Sequence, residues 1–312
     1  MTTAAVDQSE VPAHKTGFRH VVAHIRSDRW AAAGAITVMI FLAVAIFAPL
    51  ITAVSGQDPY TFHLETLDDS GAPLGFGGGI STTHWFGVEP LTGRDLFAIV
   101  VYGARTSLLV GISATIVSVT LGVLVGITAG YFGGWYDRGV SRVIDVMLGF
   151  PSLVFIISLT AIAPANFPKP VLIILVMGGF SWPPIARVIR GQTLSLRERN
   201  FVVASTAMGA KSLHIITKQV LPNVGATIIV FATISIPAMI GFEAALSFLG
   251  VGVPPPTPSW GRSIGDAINW VQTDPMFLVF PGAALTLVTL AFNIFGDGLR
   301  DALDPRSGAD AR

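Results

Sequence analysis

Apolar residues in this chain do not alternate with polar ones; they run in blocks. Six stretches free of Asp, Glu, Lys and Arg stand out, at Ala31–Val54, Ser107–Tyr131, Val146–Phe167, Val171–Ala186, Val224–Phe242 and Met276–Ile294. A bilayer core of about 30 Å is crossed by roughly 17 to 25 apolar residues in a helix, so these blocks predict six transmembrane helices in an all-α polytopic membrane protein. The fourth is the shortest, opening at Pro170 and carrying Pro183 and Pro184 near its end. The first, preceded by Lys15, Arg19, Arg26 and Arg29, has the flanks of a signal peptide, but its apolar length exceeds a signal core of roughly 7 to 15 residues. It is expected to stay as an anchor. The chain then divides into an arm (1–30), a first transmembrane helix (31–54), an outer loop (55–106), a transmembrane domain (107–306) with a long inner loop at 187–223, and a tail (307–312).

Ahead of the first block, Phe18, Val21, Val22 and Ile25 recur at helical spacing among Arg and His between Gly17 and Trp30. That pattern predicts an amphipathic helix lying in the membrane interface. His20 and His24 stand one turn apart, but no third ligand completes a metal site, and a solvated helix face is the simpler account.

Composition agrees with lipid as the solvent. Of 312 residues 52% are hydrophobic and 12% charged, against about 25% charged in soluble domains. Nineteen Lys and Arg cancel nineteen Asp and Glu, which leaves no basic surface for nucleic acid. The absence of cysteine excludes disulfides, thiolate metal sites and a thiol nucleophile. The charges are nevertheless sorted by side. With both termini inside, the inner segments carry fifteen Lys and Arg and the outer ones four. By the positive-inside rule this places both ends in the cytoplasm and leaves large outer loops at about 55–106 and 243–275.

Catalytic chemistry is hard to find. The six histidines lie outside the apolar blocks, so an intramembrane nucleophile and base are not available. The run Gly75–Gly79 lacks the Lys and Ser/Thr of a P-loop, and Gly209-Ala210-Lys211-Ser212 has the wrong spacing. If ATP drives this protein, a partner binds it. No block contains an interior charge of the kind ion-coupled carriers use as relays. Gly122, Gly126 and Gly130, four apart, share one helical face and predict a seam for close helix packing.

The inner loop from Arg187 to Asn223 is too long for a turn. Phe201 to Met208, a break at Gly209, then Ile215-Ile216 and Leu221-Pro222 predict two short helices at a sharp angle, the second ending near Pro222. Such a knob either packs on its own protein or docks in a partner's cleft. The segment resembles the EAA loop of ABC-importer permeases, with Ala204, Gly209, Leu221 and Pro222 in register; Val203 stands for its Glu, Ser205 for its second Ala and Gln219 for its Ile.

Three more stretches resemble the dipeptide, oligopeptide and nickel permease family. They are Gly93-Arg94-Asp95 with Tyr102 to Leu108, Glu243 to Gly250 running on to Pro255 to Gly261, and Gly296 to Pro305. The matches cover roughly residues 17 to 306, and the N-terminal helix with the large first outer loop is similar to the C-type subunit of the permease pair. The resemblance implies a type I importer fold with cytoplasmic coupling helices, in a bacterial plasma membrane. Its partners would be a second homologous permease, two ATP-binding subunits holding ATP and Mg, and an extracytoplasmic binding protein. This chain would itself carry no cofactor, metal or ATPase, and would form half of the path for di- or oligopeptides. Alternatives are nickel import within the family, or an ion-coupled secondary transporter. The residues it points to are Ala204, Ser205, Met208, Gly209, Leu221 and Pro222 for coupling to the ATPase. Arg94, Asp95, Arg105, Glu243 and Trp260 are candidates for an outer gate or a binding-protein contact, with Arg94, Asp95 and Arg105 alternatively pairing among themselves. A stiff re-entrant turn is the other account of the stretch after Glu243.

Overall fold

The computed structural model describes residues 18–162, 164 and 167–303. The expectations for the tail, for residues 1–17 of the arm and for the last residues of the third motif lie outside them, as do the side chains of His20 and His24.

The described chain is helical, with two isolated β-bridges and no strand. Helix α1 is Phe18–Ser27, followed by α2 at Arg29–Ile46 and α3 at Ala48–Ser55. The expected first span is thus interrupted at Phe47, where Pro49 opens a new helix. The longest helix, α4, runs over Leu96–Phe132 and starts before the expected Ser107, because the carboxylate of Asp95 accepts the Ala98 N–H at 2.7 Å and caps it. The loop expected to reach residue 106 therefore ends at 95.

The third and fourth blocks are broken. Helix α5, Gly134–Gly149, meets α6, Ser152–Ile162, at 88°. The break falls at Phe150-Pro151, where the residue before proline leaves the helical region. Helix α7, Lys169–Ser181, meets α8, Pro183–Arg197, at 42° across the Pro183-Pro184 pair. Four helices or helical runs are each long and apolar enough to cross a membrane among the described residues, and six spans result if each bent pair counts as one.

Beyond α8 come α9 at Asn200–Ala207 and α10 at Ser212–Ile215, and a π turn at Ile216–Val220 leads into α11, Leu221–Phe248. The second short helix does not end at Pro222 as expected. It continues, with the wider π ladder placed just where the proline ring would meet the carbonyl four residues back. The bundle is completed by α12, Trp260–Ala267, and α13, Met276–Leu303.

Helix α4 is the spine, because its buried residues enter three separate apolar cores. Leu96, Ile99 and Leu108 pack with α2, α12 and α13. Val110 and Ala114 pack with α6, α7 and α11. Val119, Val123 and Ile127 pack with α8 and the segment 202–224. The expected glycine seam lies on α8: a Cβ on Gly122 would come 2.7 Å from Ile185, on Gly126 2.8 Å from the Ala186 carbonyl, and on Gly130 2.7 Å from Thr193. Two regions flank the spine. The cap gathers residues 56–95 and 249–275 at the N-terminal end of α4, and the knob gathers residues 198–220 at its other end.

Candidate functional site

The knob is built on a glycine turn. Helix α9 ends at Ala207 with Met208 as its cap, and Gly209 follows with φ +81°. The Ala210 N–H donates to the Ser205 carbonyl and the Gly209 N–H to the Thr206 carbonyl, each at 3.0 Å. This is a Schellman closure, and it requires a left-handed residue at Gly209. A Cβ there would meet open space, so backbone conformation, not close packing, calls for glycine. Val202, Ile215 and Val220 are buried and join the third core, fixing the knob to α4 and α8. The opposite surface is apolar and uncovered, with Met208 80% and Leu213 72% exposed alongside Phe201 and Val203.

Two departures from the EAA pattern turn out to be partners. The Gln219 side-chain amide donates to the Ser205 hydroxyl at 2.6 Å, and that hydroxyl donates to the Phe201 carbonyl at 2.9 Å. The Ser and Gln that stand where the EAA pattern has Ala and Ile thus form a hydrogen bond between α9 and the π turn. Neither substitution alone signalled this; only their joint occurrence could have. Ala204, Leu221 and Pro222 are exposed beside them.

Behind the knob, α5 and α8 are held by ion pairs, Arg190 with Asp137 and Arg187 with Asp145.

In the cap, two sequence motifs far apart in the chain interlock. The Trp260 indole N–H donates to the Val100 carbonyl at 2.8 Å, and its ring lies where a Cβ on Gly103 would come 2.7 Å from Cδ1. One turn further along α4, the Ser107 hydroxyl donates to Glu243 at 2.8 Å. Glu243 also accepts from Ser247 at 2.7 Å and Ser259 at 2.8 Å, so its fully buried carboxyl joins α4, α11 and the start of α12. Gly261 lies against the Ala244 backbone, where no side chain would fit.

Arg94 is 7% exposed and forks onto Glu89, Nε to Oε2 at 2.6 Å and Nη2 to Oε1 at 2.9 Å. Its Nη1 donates to the Pro256 carbonyl at 3.1 Å, pinning the first loop to the proline-rich stretch. Asp95, besides capping α4, lies 2.9 Å from His84 Nδ1. Within the same loop, the Thr61 hydroxyl, with the backbone N–H groups of Tyr60 and Thr61, holds the Asp58 carboxyl below the usual range against the opposing effect of burial.

These contacts correct the outer-site expectations. Arg94 and Asp95 pair with Glu89 and His84, neither singled out from the sequence, and not with each other or with Arg105. Glu243 lies in the last turns of α11 and is buried there. Helix α11 continues past Phe242 to Phe248 and buries it, so a charged-type side chain does lie within a long helix. Trp260 is buried too, and of the five only Arg105 is exposed. Four of the five therefore hold the cap together from within and offer no surface to a docking protein. The stretch after Glu243 contains a helix, α12, packed on α11 and α13.

Residues 122–308 match the family described as the binding-protein-dependent transport system inner membrane component. The chain belongs to this family. It is the inner-membrane permease of a binding-protein-dependent ABC importer, and the family implies an ATPase and a binding protein as its partners, with ATP hydrolysis in the former. The permease is 39% identical to the dipeptide transport system permease protein DppC of Alkalihalophilus pseudofirmus, over 93% of this chain and 90% of that protein. It is 36% identical to the glutathione transport system permease protein GsiD of Escherichia coli, over 96% of this chain and 92% of that one. Its fold is shared with a chain of the inward-facing MetNI methionine ABC transporter, at TM-score 0.54 and 19% identity, covering 67% of this permease and 98% of that chain. The permease fold expected from the EAA-like loop is thus the one observed.

Proposed function

We propose that this permease forms half of the membrane path for di- or oligopeptides, with both termini cytoplasmic, the cap outside and the knob against an ATPase subunit that binds ATP and Mg. The observation that carries the reading is the interlock of the two cap motifs around Glu243 and Trp260, found in a chain whose relatives over nearly its full length include dipeptide and glutathione permeases. The excess of basic residues on the knob side supports the orientation. A second homologous permease supplies the other half of the path, and two ATPase subunits complete the importer.

The knob supplies the lever. Its core face is anchored beside α4, while Met208, Leu213, Phe201 and Val203 present an apolar surface suited to a groove on the ATPase. Motion of that groove would reach α11 through the unbroken π turn, since no flexible linker intervenes.

The experiment is purification of the tagged permease from a bacterial membrane, followed by reconstitution in proteoliposomes. A second permease and ATPase subunits should accompany it, and labelled dipeptide should accumulate only with ATP and binding protein. A lone homodimer active without ATP would overturn the reading. Accumulation of nickel but no peptide would favour metal import. Gly209→Asp should leave assembly intact while ATP hydrolysis proceeds without uptake; normal uptake would remove the lever.

A further inference from the structure

The cap holds a cavity of about 450 Å³ that the Glu243 interlock leaves unfilled. Its walls come from α12, the turn after α11, and the facing ends of α6 and α7. Two cations line it. Lys169, in the first turn of α7, donates from Nζ to the Thr160 carbonyl at 3.3 Å. Arg262, on α12, donates from Nε to Asp266 Oδ2 one turn further on at 3.2 Å.

That ion pair uses only part of the guanidinium. The Arg262 side chain lines the cavity and is 26% exposed. A planar guanidinium is matched best by a carboxylate or phosphate. Among the described residues lining the cavity Asp266 is the one acid against two cations, so that lining carries one net positive charge. Glu243 lies behind Ser247, its oxygens already occupied by three hydroxyls. Most of the remaining wall is backbone and apolar side chain at Val251, Val253, Pro254 and Pro255. The volume falls in the range of small-molecule sites, roughly 300 to 1,000 Å³, and exceeds what a lone inorganic anion fills.

We propose that this cavity receives the C-terminal carboxylate of a peptide, with Arg262 and Lys169 donating to it and the valine and proline wall covering the last side chain. The site rests on the peptide-import reading and deepens it. It makes the permease a reader of the free C-terminus, independently of the binding protein.

The test uses the complete importer in proteoliposomes and two substrates, alanyl-alanyl-alanine and its C-terminal amide. The quantity read is the ratio of kcat/KM for acid over amide, compared between the wild type, Arg262→Gln, Lys169→Gln and the double variant. Comparing ratios cancels whatever preference the binding protein has. Loss of the charged donors should lower the acid-over-amide ratio about tenfold, the size of one charge-assisted hydrogen bond. Arg262→Lys and Lys169→Arg should retain most of it. An unchanged ratio with normal peptide import would overturn the site and leave the peptide reading standing. Equal losses for acid and amide would show a merely structural role and also overturn it. Import of neither substrate by the wild type would break the peptide reading itself. Should the double variant fail to assemble, the single variants are read in the same way. Binding of the fluorescently labelled free-acid tripeptide to the detergent-solubilised importer without binding protein gives a second measurement. Competition by inorganic phosphate as strong as by unlabelled tripeptide would overturn the assignment to peptide.

Discussion

At the cap, Gly103 and Gly261 sit where any side chain would strike Trp260 or the Ala244 backbone; at the knob, Gly209 has open space around it and a left-handed backbone. The polar groups differ in the same way. Glu243, Arg94 and Asp95 are buried and satisfied, Glu243 and Arg94 in part by partners from distant segments, whereas the knob shows solvent an apolar face and ties α9 to the π turn through Gln219 and Ser205. The cap is a closed interlock whose residues answer to one another. The knob is a shaped surface whose apolar face is left uncovered by the described residues. A motif shared with a family therefore carries different information at the two ends: close fit within the subunit at one, backbone conformation beneath an uncovered surface at the other.

The difference can be broken by substitution. Arg94→Met should cost most, about 4 kcal/mol, because it leaves Glu89 buried without its counter-charge. It should appear as a large drop in thermal unfolding temperature in detergent, and an unchanged midpoint would mean that the cap is looser than described. Glu243→Ala removes the common acceptor of three hydroxyls and should cost about 3 kcal/mol. Limited proteolysis within residues 249–275 should then accelerate, and equal protection in both proteins would count against the interlock. Gly103→Ala forces a methyl against the Trp260 ring and should cost about 2 kcal/mol.

At the knob the expected losses are smaller. Gly209→Ala should cost about 1 kcal/mol, from backbone conformation alone, and Gly209→Asn should recover part of it. A loss at Gly209 as large as that at Gly103 would dissolve the distinction between the ends. Smallest of all, Ser205→Ala and Gln219→Ile should each lower stability by about 1 kcal/mol or less, while the double variant, restoring the apolar pair, should lose less than their sum. Strict additivity in that cycle would show the hydrogen bond to be incidental.

How much of this was legible in the chain depended on distance. The apolar blocks gave the helices, and the spacing of Gly122, Gly126 and Gly130 gave the seam on α8, because both follow from local period. The right-angle bend at Pro151 was hidden, since the residues on either side are uniformly apolar and composition is blind to direction. Pro222 misled in the opposite sense: a proline beside a long apolar helix read as a stop, while a π turn carries the chain through it. In the candidate site, the glycine turn of the knob was visible from spacing. The cap was not, because Glu243 takes one partner 136 positions earlier and another 16 later. Its neighbours Glu89 and His84 carry no motif of their own. A carboxylate next to an apolar block looks the same whether it faces water or three serines.

Helix α4 has a mechanical consequence. It holds 37 residues without a proline and so extends about 55 Å, well beyond the roughly 30 Å of hydrocarbon. A rod of that length, gripped by the Trp260 and Ser107 contacts near one end and by α8 and the knob's core near the other, is an amplifier: a tilt of about 5° displaces one end relative to the other by about 5 Å. The throw is set by the length of a single helix, so a small change of angle at one end of α4 would emerge as a stroke of atomic dimensions at the other.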